Sequence, residues 1–84
     1  MSSKIKQDIS VGANLRYLRQ KNEFSQEQLA AKLQILGLPV SREIISQMEL
    51  GKYSIRVSIL LALKAIYDVP FEEFFKNLSL PTLE

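Results

Sequence analysis

Apolar side chains recur at helical spacing along most of this chain, and the polar residues between them act as start and stop signals. Val11, Leu15 and Leu18 stand at i, i+4 and i+7 and predict a first helix over about 10–22. A second begins at Ser25, whose hydroxyl can cap the free amides while Gln28 completes a capping box. Its stripe is Leu29, Leu33 and Leu36, with Ala30 as a small surface for a crossing helix. Gly37-Leu38-Pro39 interrupts the pattern. Ser41 then caps a third helix, about 42–50, closed by Gly51. A fourth, about 57–67, is apolar nearly all round, with Leu60, Leu63 and Tyr67 on one stripe and Ile59, Ala62 and Ile66 on another. After Asp68-Val69-Pro70, the spacing of Phe71, Phe74, Phe75 and Leu78 predicts a fifth. The expected fold is all-α, a compact five-helix bundle over 10–78. It is preceded by a flexible arm at 1–9, carrying Lys4 and Lys6, and followed by a tail at 79–84.

The third helix holds the candidate chemistry. Ile45 and Met48 are three apart and face inward, which leaves Arg42, Glu43, Ser46 and Gln47 outward. Arginine can donate a fork of hydrogen bonds to guanine, glutamine can pair with adenine, and glutamate can accept from the cytosine amine. Arg42, Glu43 and Gln47 are therefore candidate base readers, with Ser46 beside them. Ile44 has two readings, contact with thymine methyls or packing against the preceding turn. Lys52, Tyr53 and Arg56 in the following loop, and the Ser41 cap, are candidate phosphate contacts; the alternative for the loop is a solvated segment anchored by Ile55.

Two stretches, S-Q-E-Q-L-A from Ser25 and S-R-E-I-I-S-Q-M-E-L-G from Ser41, resemble the helix-turn-helix of the phage repressor and Cro proteins, the XRE type. The resemblance runs from about Val11 to Phe75 and implies a lambda-repressor-like DNA-binding domain. It implies that Gln26 lies at the DNA interface, the alternative being a solvated glutamine, and that Arg19 and Glu49 form a largely buried structural ion pair. Three departures stand out. Seven residues, Gln34 to Val40, separate Leu33 from Ser41 where the family needs fewer, which suggests an extra turn on the second helix and a longer connection. Ile44 stands where family members tend to be polar. Lys64 stands where they carry a small apolar residue, so its stem must snorkel.

Composition narrows the picture further. At 84 residues and 46% apolar, the chain makes one domain with a modest core. It has no cysteine and no histidine, so disulfides, thiolate metal sites and the commonest general base are excluded, and neither an enzyme nor a cofactor is expected. The opening residues lack a signal-peptide pattern and no apolar run could span a bilayer, so a cytoplasmic, membrane-free protein is expected. Net charge is only +2, but residues 1–56 carry nine Lys and Arg against five acids, while residues 57–84 carry two against four. The basic side holds the helix pair, as polyanion binding would require.

The expected function is sequence-specific binding of double-stranded DNA by a small transcriptional repressor, of phage, mobile-element or antitoxin type, on a palindromic operator. Apolar residues exceed what one small bundle needs, so a homodimer through Ile59, Ile66, Phe71, Phe75 and Leu80 is expected; an antitoxin would also bind a toxin. The alternative is a protein-interaction module with the same fold, which Glu43 on the reading face and the modest charge favour.

Overall fold

The computed structural model describes residues 4–5 and 7–80. They form β1 (Lys4–Ile5), α1 (Gly12–Lys21), α2 (Gln26–Ile35), α3 (Arg42–Glu49), β2 (Ile55–Arg56), α4 (Val57–Tyr67) and a 3₁₀ helix (Phe71–Phe75). The helical architecture is as expected, but the count of five α-helices is corrected to four and a 3₁₀ turn. The supposed arm is also corrected in part. Lys4 and Ile5 pair antiparallel with Arg56 and Ile55, so this part of the leading segment is a strand; Lys6 lies outside the described residues, as do 81–84 of the tail.

One core serves the whole domain. Leu15 and Leu18 of α1, Leu29 and Leu33 of α2, Ile45 and Met48 of α3, and Leu60 and Leu63 of α4 are all buried in it, around Phe74. Buried apolar area supplies the main favourable term, at about 25 cal/mol per Å². α3 lies against both α1 and α2, and the 3₁₀ helix closes on α1. Gly12 permits the first of these approaches, because a methyl group there would overlap the Glu49 carbonyl.

Helix ends follow local chemistry. The Ser25 hydroxyl accepts from the Gln28 amide at 3.0 Å, and the Gln28 side chain accepts from the Ser25 amide at 2.8 Å, completing the capping box. α2 stops at Gly37, whose φ of 83° lets the Leu38 amide donate to Leu33 and the Gly37 amide to Gln34. α2 runs only to Ile35, and Leu36 is 57% exposed rather than the last member of the buried stripe. Val40 enters the core from the connection instead. α1 ends the same way through Glu23, a non-glycine residue at φ 61°.

Of the expected aromatic stripe at 71–78, Phe74 alone is buried. The side-chain amide of Asn14 donates to the Phe74 and Lys76 carbonyls at 3.0 and 2.9 Å, and the backbone turns extended at Lys76 and left-handed at Asn77. The Leu78 amide turns back to the Phe75 carbonyl, and the helix does not propagate. Lys64 is half-buried, and its ammonium lies 5.3 Å from the Phe71 ring centre, which satisfies the snorkelling expected of it.

Candidate nucleic-acid interface

α3 is eight residues long, too short to be stable by itself in water, so its neighbours must hold it. At its start the Ser41 hydroxyl accepts from the Ile44 amide at 3.2 Å and donates its proton toward the Glu43 carboxylate. Underneath, Ile45 and Met48 are buried at 1% and 3% exposure. At its end Glu49 is clasped. Arg19 donates through Nε at 2.7 Å to one carboxylate oxygen and through Nη2 at 3.0 Å to the other, while Nη1 reaches the Phe24 carbonyl at 2.8 Å. Both side chains are about nine-tenths buried or more. The hydrogen bond from Arg19 to Glu49 raises the guanidinium's pKa above its ordinary value, against the opposing effect of burial.

Gln26 joins this clasp, donating from Nε2 to Glu49 Oε1 at 3.1 Å. A carboxamide has two N–H groups, so one remains for a second acceptor. Tyr67 sits close behind, its ring 6.3 Å from that of Phe24 and its hydroxyl buried with no hydrogen-bond partner among the described residues. Burial pushes its pKa upward, and the Glu49 charge adds to the effect.

The opposite side of α3 faces solvent. Arg42, Glu43 and Gln47 are exposed and Ser46 half-exposed, so this expected set shares one open face. Arg42 and Glu43 form a loose ion pair at 3.5 Å with both side chains half or more exposed, a geometry of little net stability. The Glu43 carboxyl is held below the usual range chiefly by a backbone amide, then by Arg42 and the Ser41 hydroxyl. Ile44 is less open than they are. It is half-buried on the core and lines a crevice with Pro39, Val40, Met48 and Tyr53, an environment that favours packing over an open contact.

Lys52, Tyr53 and Arg56 are exposed beyond the end of α3. On the other flank a polar cleft is lined by Arg16, Ser25, Gln26, Arg42, Ser46 and Leu50. Two of these add to the set read from sequence. Arg16 carries the cleft's far wall, yet in sequence it is one of several cations late in α1. Leu50, 59% exposed, gives the apolar surface beside Ser46 and Gln47 that Ile44 does not; an exposed leucine ending a helix has no distinguishing local signal. The residues expected at a dimer contact differ in exposure. Ile59 is 3% exposed and belongs to the core, which corrects that assignment; Ile66 is half-buried, while Phe71, Phe75 and Leu80 are exposed.

The helix-turn-helix family model matches residues 15–74. Among solved structures, the crystal structure of the DNA-binding domain of BldD is similar, with 29% sequence identity and a TM-score of 0.61, over 88% of this chain and 97% of that one. No curated protein matches the chain. The matched stretch takes in α2, the lengthened connection and α3, together with both partners of the Arg19–Glu49 clasp, and the chain belongs to the XRE-type helix-turn-helix family.

Proposed function

We propose that this protein is a sequence-specific double-stranded-DNA-binding transcriptional regulator, a small cytoplasmic repressor of phage, mobile-element or antitoxin type. One observation carries the reading: α3 is buried and clasped along one side while Arg42, Glu43 and Gln47 stand together in solvent on the other. A helix so mounted fits the major groove, about 12 Å wide. The family match supports the same reading, as does the likeness to a domain described as DNA-binding. Arg42 and Gln47 read purine edges, Glu43 accepts from cytosine, Ser46 and Leu50 contribute short polar and apolar contacts, and Ile44 contributes none. Ser41, the second N–H of Gln26, Arg16, Lys52, Tyr53 and Arg56 hold phosphates on the two flanks.

A palindromic operator would need a pair of such helices roughly 34–36 Å apart. The exposed Phe71, Phe75 and Leu80 are the apolar surface that supports a homodimer, without Ile59. Glu43, whose carboxylate repels phosphate, favours a second reading as a protein-interaction module. Selection of bound sequences from a random duplex pool, followed by titration at several salt concentrations, decides between them. An enriched motif with steep salt dependence supports the regulator; affinity no better for any duplex than for another polyanion refutes it.

A further inference from the structure

Gln7 is a glutamine in a polar leading segment, and nothing in its sequence neighbourhood marks it. In the folded chain it is half-buried and joins three separate segments. Its carbonyl oxygen accepts from the Val11 amide at 3.0 Å, at the entry to α1, beside the Ser10 hydroxyl that accepts from the Gly12 amide at 3.0 Å. Its two N–H groups are both used: one donates to the Met48 carbonyl in the last turn of α3 at 3.2 Å, the other to the Tyr53 carbonyl at 2.6 Å. Beyond α3 the chain is first held by its own helix, since the Gly51 amide donates to Met48 and the Lys52 amide to Gln47. That support ends at Lys52. From Tyr53 to Arg56 the backbone is held by Gln7 at one end and by the pairing of Lys4 and Ile5 with Arg56 and Ile55 at the other.

We propose that Gln7 is a positioning residue for DNA binding, locking the Lys52–Arg56 segment to the C-terminal end of α3. The proposal rests on the reading of that segment as a phosphate contact. Fixing the Tyr53 and Met48 carbonyls to one carboxamide sets the loop's three donors at a constant distance from the base-reading face. Ile55 anchors the loop through its buried side chain but leaves the Tyr53 peptide free to rotate, and Gln7 removes that freedom. A flexible loop would bear the ordering cost at the moment of binding instead.

Gln7→Glu separates this role from capping, because a carboxylate still accepts from the Val11 amide but presents negative charge to two carbonyls. Gln7→Ala removes both roles. In the full chain, amide hydrogen exchange at Lys52–Ile55 is expected to rise tenfold or more in both variants relative to amides of α2. On the selected duplex, both should lose about tenfold in affinity. The log–log salt slope should become shallower by about one, the equivalent of one lost phosphate contact. The selected sequence should stay the same, and Gln7→Glu should add little to a chain already carrying Lys52→Ala and Arg56→Ala. Unchanged exchange at Lys52–Ile55 in Gln7→Glu overturns the lock whatever the DNA result. Faster exchange with wild-type affinity and slope overturns its role in binding. Absence of salt-sensitive duplex binding by the wild type defeats the phosphate reading, while exchange still decides the lock.

Discussion

Replacing Glu49 by alanine removes the acceptor for three hydrogen bonds and leaves Arg19 charged inside the protein. The guanidinium keeps only the Phe24 carbonyl, and Gln26 loses its internal partner. Gln26 is half-exposed and can turn to water, so the cost falls on Arg19, whose side chain is only 10% exposed. Breaking a buried pair from one side typically costs about 3–5 kcal/mol. A domain of 84 residues has roughly 4–13 kcal/mol in all, at about 0.05–0.15 kcal/mol per residue, so a large share of the stability goes. At about 4–8 °C per kcal/mol for a domain this size, thermal unfolding should fall by on the order of 20 °C. The companion measurement is Arg19→Met with Glu49→Leu, which removes both charges and fills the site with apolar volume. Buried pairs replaced in that way are often neutral, so the double variant should recover most of the loss and the cycle should show strong coupling. Urea unfolding of the wild type, Arg19→Met, Glu49→Leu and the double variant measures the coupling, with Glu49→Ala alongside. A loss below about 1 kcal/mol for Glu49→Ala, the range of exposed pairs, or a double variant no better than the sum of the singles, would refute the argument.

Other perturbations test neighbouring parts of the same reasoning. Tyr67→Phe deletes a buried hydroxyl that bonds to nothing among the described residues, so stability should hold or rise by about 1 kcal/mol in urea unfolding; a loss above that would reveal a partner for the hydroxyl. Glu23→Gly relieves a left-handed residue at the end of α1 and should stabilise by about 0.5–1 kcal/mol, read as a shift in urea midpoint at constant slope. Arg42→Ala should relax preference at one base position, whereas Lys52→Ala should weaken all duplexes alike and reduce the salt slope by about one. Equal effects of those two on every duplex would overturn the separate roles.

What could be read from the sequence is what depends on near neighbours. Ser25 with Gln28, Ser41 ahead of Arg42, and Gly37 and Gly51 at the ends of helices are local devices, and each acts where its spacing puts it. The span of α4 is also local, ended at Asp68 in the left-handed region. The Arg19–Glu49 pair was legible through the family resemblance rather than through its own spacing. Gln7 and Asn14 were not legible at all, because each is a single carboxamide whose main partners lie 41 to 62 residues away. The same distance hid the ribbon, where two residues pair with two and no alternation announces a strand. Phe71, Phe75 and Leu78 show the opposite failure. Their helical spacing is present, but the backbone turns extended at Lys76 and left-handed at Asn77, and a 3₁₀ turn buries Phe74 alone. Ile59 was assigned to a partner because a helix apolar on two stripes can be read as central or as half-covered, and only the packing decides.

The two faces of α3 consequently answer to different constraints. Its path is set from below and from the ends, by Ile45, Met48, the Ser41 cap, the Glu49 clasp and the bare Cα of Gly12 under the Glu49 carbonyl. Of these only the Ser41 hydroxyl reaches the solvent face, at Glu43. Arg42, Glu43 and Gln47 are exposed, with one loose ion pair between the first two, so exchanging them should stay within the roughly 0.5 kcal/mol typical of surface substitutions. The residues proposed to choose the DNA sequence can therefore change without unfolding the support. Gln26 is where the two sets of constraints meet. One N–H of its carboxamide completes the clasp on Glu49 while the other remains available at the first turn of α2, so the group that would hold a phosphate is oriented by the same carboxylate that fixes the end of α3. The proposed backbone contact and the proposed reading helix are thus set by one buried acid, and disturbing Glu49 should shift them together, whereas disturbing Arg42 should shift neither.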